Sequence, residues 1–277
     1  MHLTSHHRAL KTASKIVLRN DRLLLYVKSI KLAVEASILR SISVYDRLIP
    51  LLPEIVGRTD PVILDIGANM GQFALRVAQQ FPEGHIYSFE PLHESAMGLR
   101  RTRRWLRLSN ISIQEEAVCD AVGTETIHVP ILKSGFREGA LAALEGNKTS
   151  YDDVGYDAEI VRTNTIDSFI KTSALNRVDF IKVDTEGAES RVISGGLATI
   201  ERLLPALYLE TPLEQPWLNG LYEIGYQPFY NNGEKLFAPQ LDTRQTDVLL
   251  LHRCRSSQIA HLRADLDART TVHRQDD

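Results

Sequence analysis

The run Asp65-Ile66-Gly67-Ala68-Asn69-Met70-Gly71 places an acid at the end of an apolar stretch and passes straight into a glycine-bearing turn. In open α/β sheets, nucleotide-like ligands bind at such carboxyl ends of strands. Glu90 ends a second apolar stretch, His85–Phe89, and Pro91 stops it there. A carboxylate at that point can accept both hydroxyls of a ribose. A dinucleotide would want G-x-G-x-x-G so that backbone can approach the phosphates. Counted from Gly67, the second and third glycine positions hold Asn69 and Gln72, which disfavours a nicotinamide cofactor. Gly67 and Gly71 still allow a tight turn and close approach of an uncharged moiety, and Asp65 suits a ligand ammonium group. Two acids flanking a glycine turn fit S-adenosylmethionine better than NAD.

A second set of acids follows later strands. Asp184 and Glu186 come after the run Val178–Val183, and Glu210 ends Ala206–Leu209. On a doubly wound sheet these ends adjoin the first strand's turn. A hydroxyl nucleophile must lose its proton as it attacks, so Asp184 or Glu186 is expected to act as base, with Glu210 able to join them. Three such acids are also an oxygen-ligand set for a hard cation, but spacing does not fix convergence, and no metal site is predicted. Glu189 reads as an acid capping a helix N-terminus.

The elements that must position these groups alternate. Val62-Ile63-Leu64 is a continuous apolar run typical of a buried parallel strand. Phe73, Val77 and Phe81 mark a helix face, and Glu94–Arg107 is a second helix after His85–Phe89. Strands at Ile111–Ile113, Val178–Val183 and Ala206–Leu209 continue the alternation. Tyr226–Tyr230 and Val248–Leu251 flank a turn-rich Asn231-Asn232-Gly233 segment with no helix between, which reads as an antiparallel pair. The expectation is an α/β, doubly wound, Rossmann-like sheet closed by an antiparallel C-terminal hairpin. Gly135–Glu159 lacks periodicity and reads as a loop near the substrate. Residues 1–56 form a basic helical extension, 57–254 the main domain, and 255–277 a polar tail expected to fray despite one helical turn at Ile259–Leu266.

The 277 residues, 43% hydrophobic and 24% charged, suit one sizeable core and exclude a disordered or disulfide-stapled chain. The net charge of -3 argues against nucleic acid as a partner. Residues 1–48 nevertheless hold nine Lys/Arg against Asp21, Glu35 and Asp46, a local +6 that leaves -9 elsewhere. Apolar residues recur there at helical spacing (Ile16, Leu23, Val27, Ile30, Val34, Ile38). Such a helix can pack on the body, on a partner subunit in a homo-oligomer, or on an anionic membrane surface. Only Cys119 and Cys254 occur, consistent with a cytoplasmic protein, at most peripheral to the inner membrane face. Arg100, Arg101, Arg103, Arg104 and Arg107 beside Trp105 read as a solvated helix face.

Asp65–Gly71, Phe89-Glu90-Pro91, Thr165-Ile166-Asp167 and Asp179-Phe180-Ile181-Lys182-Val183-Asp184-Thr185-Glu186-Gly187-Ala188-Glu189 together resemble the FkbM family of S-adenosylmethionine-dependent methyltransferases. The likeness runs from about Asp60 to Thr211. The Lys-Val-Asp-Thr-Glu-Gly-Ala-Glu string is its most family-specific part. The resemblance implies a seven-stranded methyltransferase sheet and methyl transfer to a hydroxyl of a saccharide, glycolipid or glycosylated metabolite. It implies cofactor positions at Asp65, Gly67, Asn69, Gly71 and Glu90, with Glu116 and Ala117 beside the adenine. The rival expectation is a non-catalytic cofactor-binding or scaffold protein held at a membrane or assembly by its N-terminal arm.

Overall fold

A computed structural model describes residues 21–36, 47–131, 137–144, 155–239 and 247–263. The described residues begin with α1 (Asp21–Val34) and include α2 (Leu52–Val56), followed by β1 (Val62–Ile66), α3 (Gln72–Gln80), β2 (His85–Phe89), α4 (His93–Trp105) and β3 (Ile111–Gln114). The helix faces follow the periodicity: Phe73, Ala74, Val77 and Ala78 of α3 are buried, as are Ser95, Ala96, Leu99 and Thr102 of α4. Four strands come next, two of them long: β4 (Ala117–Val118), β5 (Gly123–Ile131), β6 (Ala143–Leu144) and β7 (Gly155–Asn164). Then follow α5 (Ile166–Thr172), β8 (Phe180–Val183), α6 (Glu189–Ser194), α7 (Leu197–Leu203), β9 (Ala206–Glu210) and α8 (Asn219–Glu223). After these come β10 (Tyr226–Asn231), β11 (Leu236–Phe237) and β12 (Asp247–His252).

The main sheet has the order β11-β10-β12-β9-β8-β1-β2-β3. β9, β8, β1, β2 and β3 are parallel, whereas β12 runs antiparallel to both β9 and β10. It contains eight strands rather than the seven expected, because the Asn231-Asn232-Gly233 turn leads into β11 instead of directly to β12. The Asn232 side chain organises that turn by accepting from the backbone N–H groups of Glu234 and Lys235. Two apolar layers cover the sheet. One gathers α1, α2 and α3 around Ile63, Phe73 and Phe180; the other gathers α5 to α8 around Leu64, Ile181 and Leu207. β8, buried along its whole length, serves both.

A second sheet, β4-β7-β5-β6, interrupts the expected strand–helix alternation. β5 and β7 pair antiparallel from Gly123 opposite Thr163 to Ile131 opposite Gly155. The presumed loop therefore ends earlier than expected, since Gly155–Glu159 lies in β7. Its strand character was hidden because β7 is mostly exposed, so it lacks the clean apolar alternation of a half-buried strand. Residues 145–154 of that presumed loop, and the helical spacing at residues 1–20 and 37–46, lie outside the described residues.

The described part of the tail differs from the expectation: residues 256–263 pack rather than fray, and residues 264–277 lie outside the described residues. Ile259 and Leu262 are buried in the same layer as α2. The Gln258 amide donates to the carbonyls of Glu54 at 2.7 Å and Ile55 at 3.0 Å, and Arg255 donates to those of Ile55 and Leu204. Polar composition concealed this because two apolar residues three apart suffice to seat a short turn. Truncation after Arg255 should cost about 3 kcal/mol or more, from two apolar side chains at roughly 1.5–3 kcal/mol each. Urea unfolding of the truncated and full-length chains checks it.

Candidate active site

The site lies where the parallel strand order turns back between β1 and β8. Asp184 N–H donates to the Ile66 carbonyl, which brings the two strand ends side by side. The first turn fits only as glycine: Gly67 has φ +75°, and a Cβ there would stand 1.7 Å from the Asp184 carbonyl oxygen. Gly71, at φ +94°, opens α3 at a point where a Cβ would strike Leu99. Between them Asn69 takes a left-handed conformation, φ 49°, which asparagine tolerates better than most residues.

Lys182 holds this junction together. Only 2% of its side chain is exposed, in the middle of a strand that otherwise holds Phe180, Ile181 and Val183. Its ammonium donates to the Gly67 carbonyl at 2.8 Å and pairs with Asp65 at 3.3 Å and Asp184 at 3.2 Å. Asp65 is wholly buried. Burial pushes its carboxyl upward, and the Lys182 charge opposes this. The sequence suggests a ligand ammonium as the partner of Asp65; in the structure the ammonium beside it is that of Lys182.

Glu90 is buried at the end of β2. Its two carboxylate oxygens accept from the backbone N–H of Asn69 at 2.8 Å and of Leu92 at 3.0 Å. Burial pushes its carboxyl up to about 7, against the pull of those two N–H groups. Each oxygen retains a lone pair for a ligand hydroxyl.

A cavity of ≈ 310 Å³ opens beside these groups. Gly67, Asn69, Glu90, Glu116, Ala117, Asp184, Glu186 and Glu210 all line it, so eight of the ten positions singled out by sequence meet at one place. Asp65 and Gly71 stand behind the wall. The apolar side is built from Phe89, Val118, Ile127 and Leu144, three of them from the second sheet. Glu116 is oriented by the Asn164 amide, which donates to it at 3.0 Å.

Carboxylate oxygens of Asp184, Glu186 and Glu210 lie within 4.8 Å of one another. A hydrogen bond with Asp184 is the first cause that pushes Glu210 up to about 9, followed by burial and by the charges of Asp184, Glu186 and Asp247. Glu186, in a left-handed conformation at φ 51°, is raised by burial and by Asp184 and Glu189. Glu189 is structural, as expected of a capping acid: one oxygen accepts from Thr185 N–H, Thr185 Oγ1 and Gly187 N–H. A second cleft, ≈ 390 Å³, runs outward past Thr211, Gln215 and Trp217. Glu186 and Glu210 line both spaces.

The pattern of residues 65–250 matches the Methyltransferase FkbM domain. The chain belongs to the FkbM methyltransferase family. Its relatives include the 2-O-methyltransferase NoeI of Sinorhizobium fredii, 30% identical over 167 residues that make up 58% of this chain and 66% of that protein. Another is the 31-O-demethyl-FK506 methyltransferase FkbM of Streptomyces tacrolimicus, 28% identical over 157 residues, covering 50% of this chain and 60% of the relative. The chain thus spans less than two thirds of these relatives' length. A methyltransferase FkbM from Methylobacillus flagellatus superposes with a TM-score of 0.44 at 15% identity, covering 70% of this chain and 44% of that one.

Within the FkbM string Lys-Val-Asp-Thr-Glu-Gly-Ala-Glu, Lys182 is the residue whose part was missed by sequence reasoning. The available signal was a lone cation inside an apolar strand, which has to be paired to be buried. Lys182→Met should lose about 3–5 kcal/mol by leaving Asp65 buried and unpaired. The double variant Lys182→Met/Asp65→Leu should recover most of that loss in urea unfolding.

Proposed function

We propose that this chain transfers a methyl group from S-adenosylmethionine to a hydroxyl of a saccharide, glycolipid or glycosylated metabolite. The observation that carries the reading is the meeting of two spaces at Glu186 and Glu210, one with an apolar side and a buried Glu90, the other open and bordered by Trp217. The relatives whose names specify a 2-O and a 31-O position support an oxygen acceptor.

When bound, the donor supplies an electrophilic methyl group on a sulfonium. Glu90 would accept from the ribose hydroxyls, with Asn69 and Leu92 N–H fixing its carboxylate. The flat apolar space between Phe89, Ala117, Val118 and Leu144 would take the adenine. Lys182 keeps the Gly67 turn and Asp184 in register. In the outer cleft the Trp217 ring offers an apolar face to a sugar, while Gln215 offers an amide to its hydroxyls. One of the carboxylates of Asp184, Glu186 and Glu210 would accept the acceptor hydroxyl's proton. Alignment of the two ligands across that junction supplies much of the remaining acceleration.

Glu90→Ala should weaken S-adenosylmethionine and S-adenosylhomocysteine by about 10- to 100-fold, the scale of losing charge-assisted hydrogen bonds. Calorimetric titration, with NADH as control and circular dichroism to confirm the fold, measures it. Unaltered affinity would remove Glu90 from the site.

The Glu210 carboxyl is protonated below about 9, so it gains base strength as pH rises through that value. kcat/KM for an active saccharide acceptor should therefore climb with pH and level off above about 9, and Glu210→Gln should lower the rate and abolish the climb. Cofactor binding without turnover would favour the scaffold reading.

A further inference from the structure

We propose that the outer face shared by α1 and α4 docks on an anionic lipid bilayer. α1 carries apolar residues on two sides. One side, with Leu32 and the polar Ser29, is buried, and α1 lies against α4, where Thr102 Oγ1 donates to the Ser29 carbonyl at 3.4 Å. The other side, Tyr26, Val27, Ile30 and Val34, stands 42–44% exposed. Residues 26, 30 and 34 repeat at four, so they form one stripe along the helix.

α4 extends the same surface. Met97, Arg101, Arg104 and Trp105 follow the i, i+4, i+7, i+8 spacing of a single face, with Met97 40% and Trp105 42% exposed. The two helices join without a seam. The Tyr26 and Trp105 rings meet edge to face at 5.8 Å, and the Arg101 guanidinium lies 5.2 Å over the Tyr26 ring. Among the described residues, nine large hydrophobic side chains are exposed, and six of them belong to this patch. Such concentration marks an interaction site rather than scattered surface apolars.

Charge selects the occupant. Arg101 and Arg104 border the apolar residues, as does Lys31, whose side chain is 74% exposed and pairs with Glu35 at 3.5 Å, in a chain whose net charge is -3. Aliphatic residues with Trp and Tyr, rimmed by long cationic side chains that can reach outward, are the composition of a helix face seated at a bilayer interface. A second copy fits less well. A twofold pairing opposes a patch to itself, bringing Arg101 and Arg104 towards their own copies with water excluded. Lys28, on the same helix, pairs with Glu138 at 3.4 Å, next to Gly139 and Ala140 of the cavity wall.

Flotation of the full chain with vesicles tests the proposal. Binding is expected to phosphatidylcholine mixed with phosphatidylglycerol, to be absent with phosphatidylcholine alone, and to fall as salt is raised. Ile30→Glu and Trp105→Gln, both at exposed positions, should each weaken it about tenfold or more. Ile160→Glu, on the distant β7, should leave it unchanged, and melting curves confirm that each variant folds. Wild-type protein that floats with neither vesicle overturns the proposal, as does binding that survives both patch variants. A dimer in sedimentation equilibrium that Ile30→Glu dissociates, without vesicle binding, would give the face to a second copy.

Discussion

One buried ammonium group fixes the relation between the strands that make this site. Lys182 lies in the centre of the main sheet, where a lone cation would be strongly disfavoured. It is stable there because Asp65, Asp184 and the Gly67 carbonyl converge on it. The same three contacts join the end of β1, the turn after it and the residue after β8. The constraint is reciprocal. Asp65 has no exposed surface, so its charge too depends on Lys182. Gly67 leaves no room for any side chain against the Asp184 carbonyl, which brings the backbones close enough for the ammonium to reach all three partners.

With that junction fixed, the remaining parts of the site follow from local geometry. Asn69 N–H and Leu92 N–H clamp Glu90 from opposite sides, so its position is set by two backbones rather than by its own rotamer. The second sheet supplies Val118, Ile127 and Leu144 to the cavity wall and packs against Leu92 and Ala188. The parallel sheet alone would leave that side open. The acids at the main sheet's strand ends thus face an apolar wall that comes mostly from the second sheet.

The parallel core and most of the site were legible in the sequence because the signals are short-range. Continuous apolar runs ending in an acid state both a buried strand and its carboxyl end, which is why the sequence alone places Glu90, Asp184 and Glu210 at strand ends. What escaped depends on contacts distant in sequence. Asp65 looked like a ligand-facing acid, since nothing local shows that Lys182, over a hundred residues later, already neutralises it. β7 escaped because its outward residues, Ile160 among them at 80% exposure, break the apolar alternation. The order of residues 256–263 depends on carbonyls of α2, some two hundred residues earlier. The eighth strand needed only two residues, too few for any periodicity.

The charge balance of the site bears on what it can hold. Lys182 is shared by two acids, Asp65 and Asp184, so the pair is not fully neutralised. Glu186, Glu210 and Asp247 stand close enough that the Asp184 charge contributes to raising each of their carboxyls. Glu90, nearby, is raised chiefly by its own burial. A cluster with this much negative potential is relieved in one of two ways, by taking up a proton or by facing a cation. On the proposed reading, a sulfonium ligand would supply the second, and the proton of an attacking hydroxyl would supply the first. The excess that makes the empty cluster costly is therefore what would let the same carboxylates favour a cationic donor and then accept the acceptor's proton as that positive charge is lost.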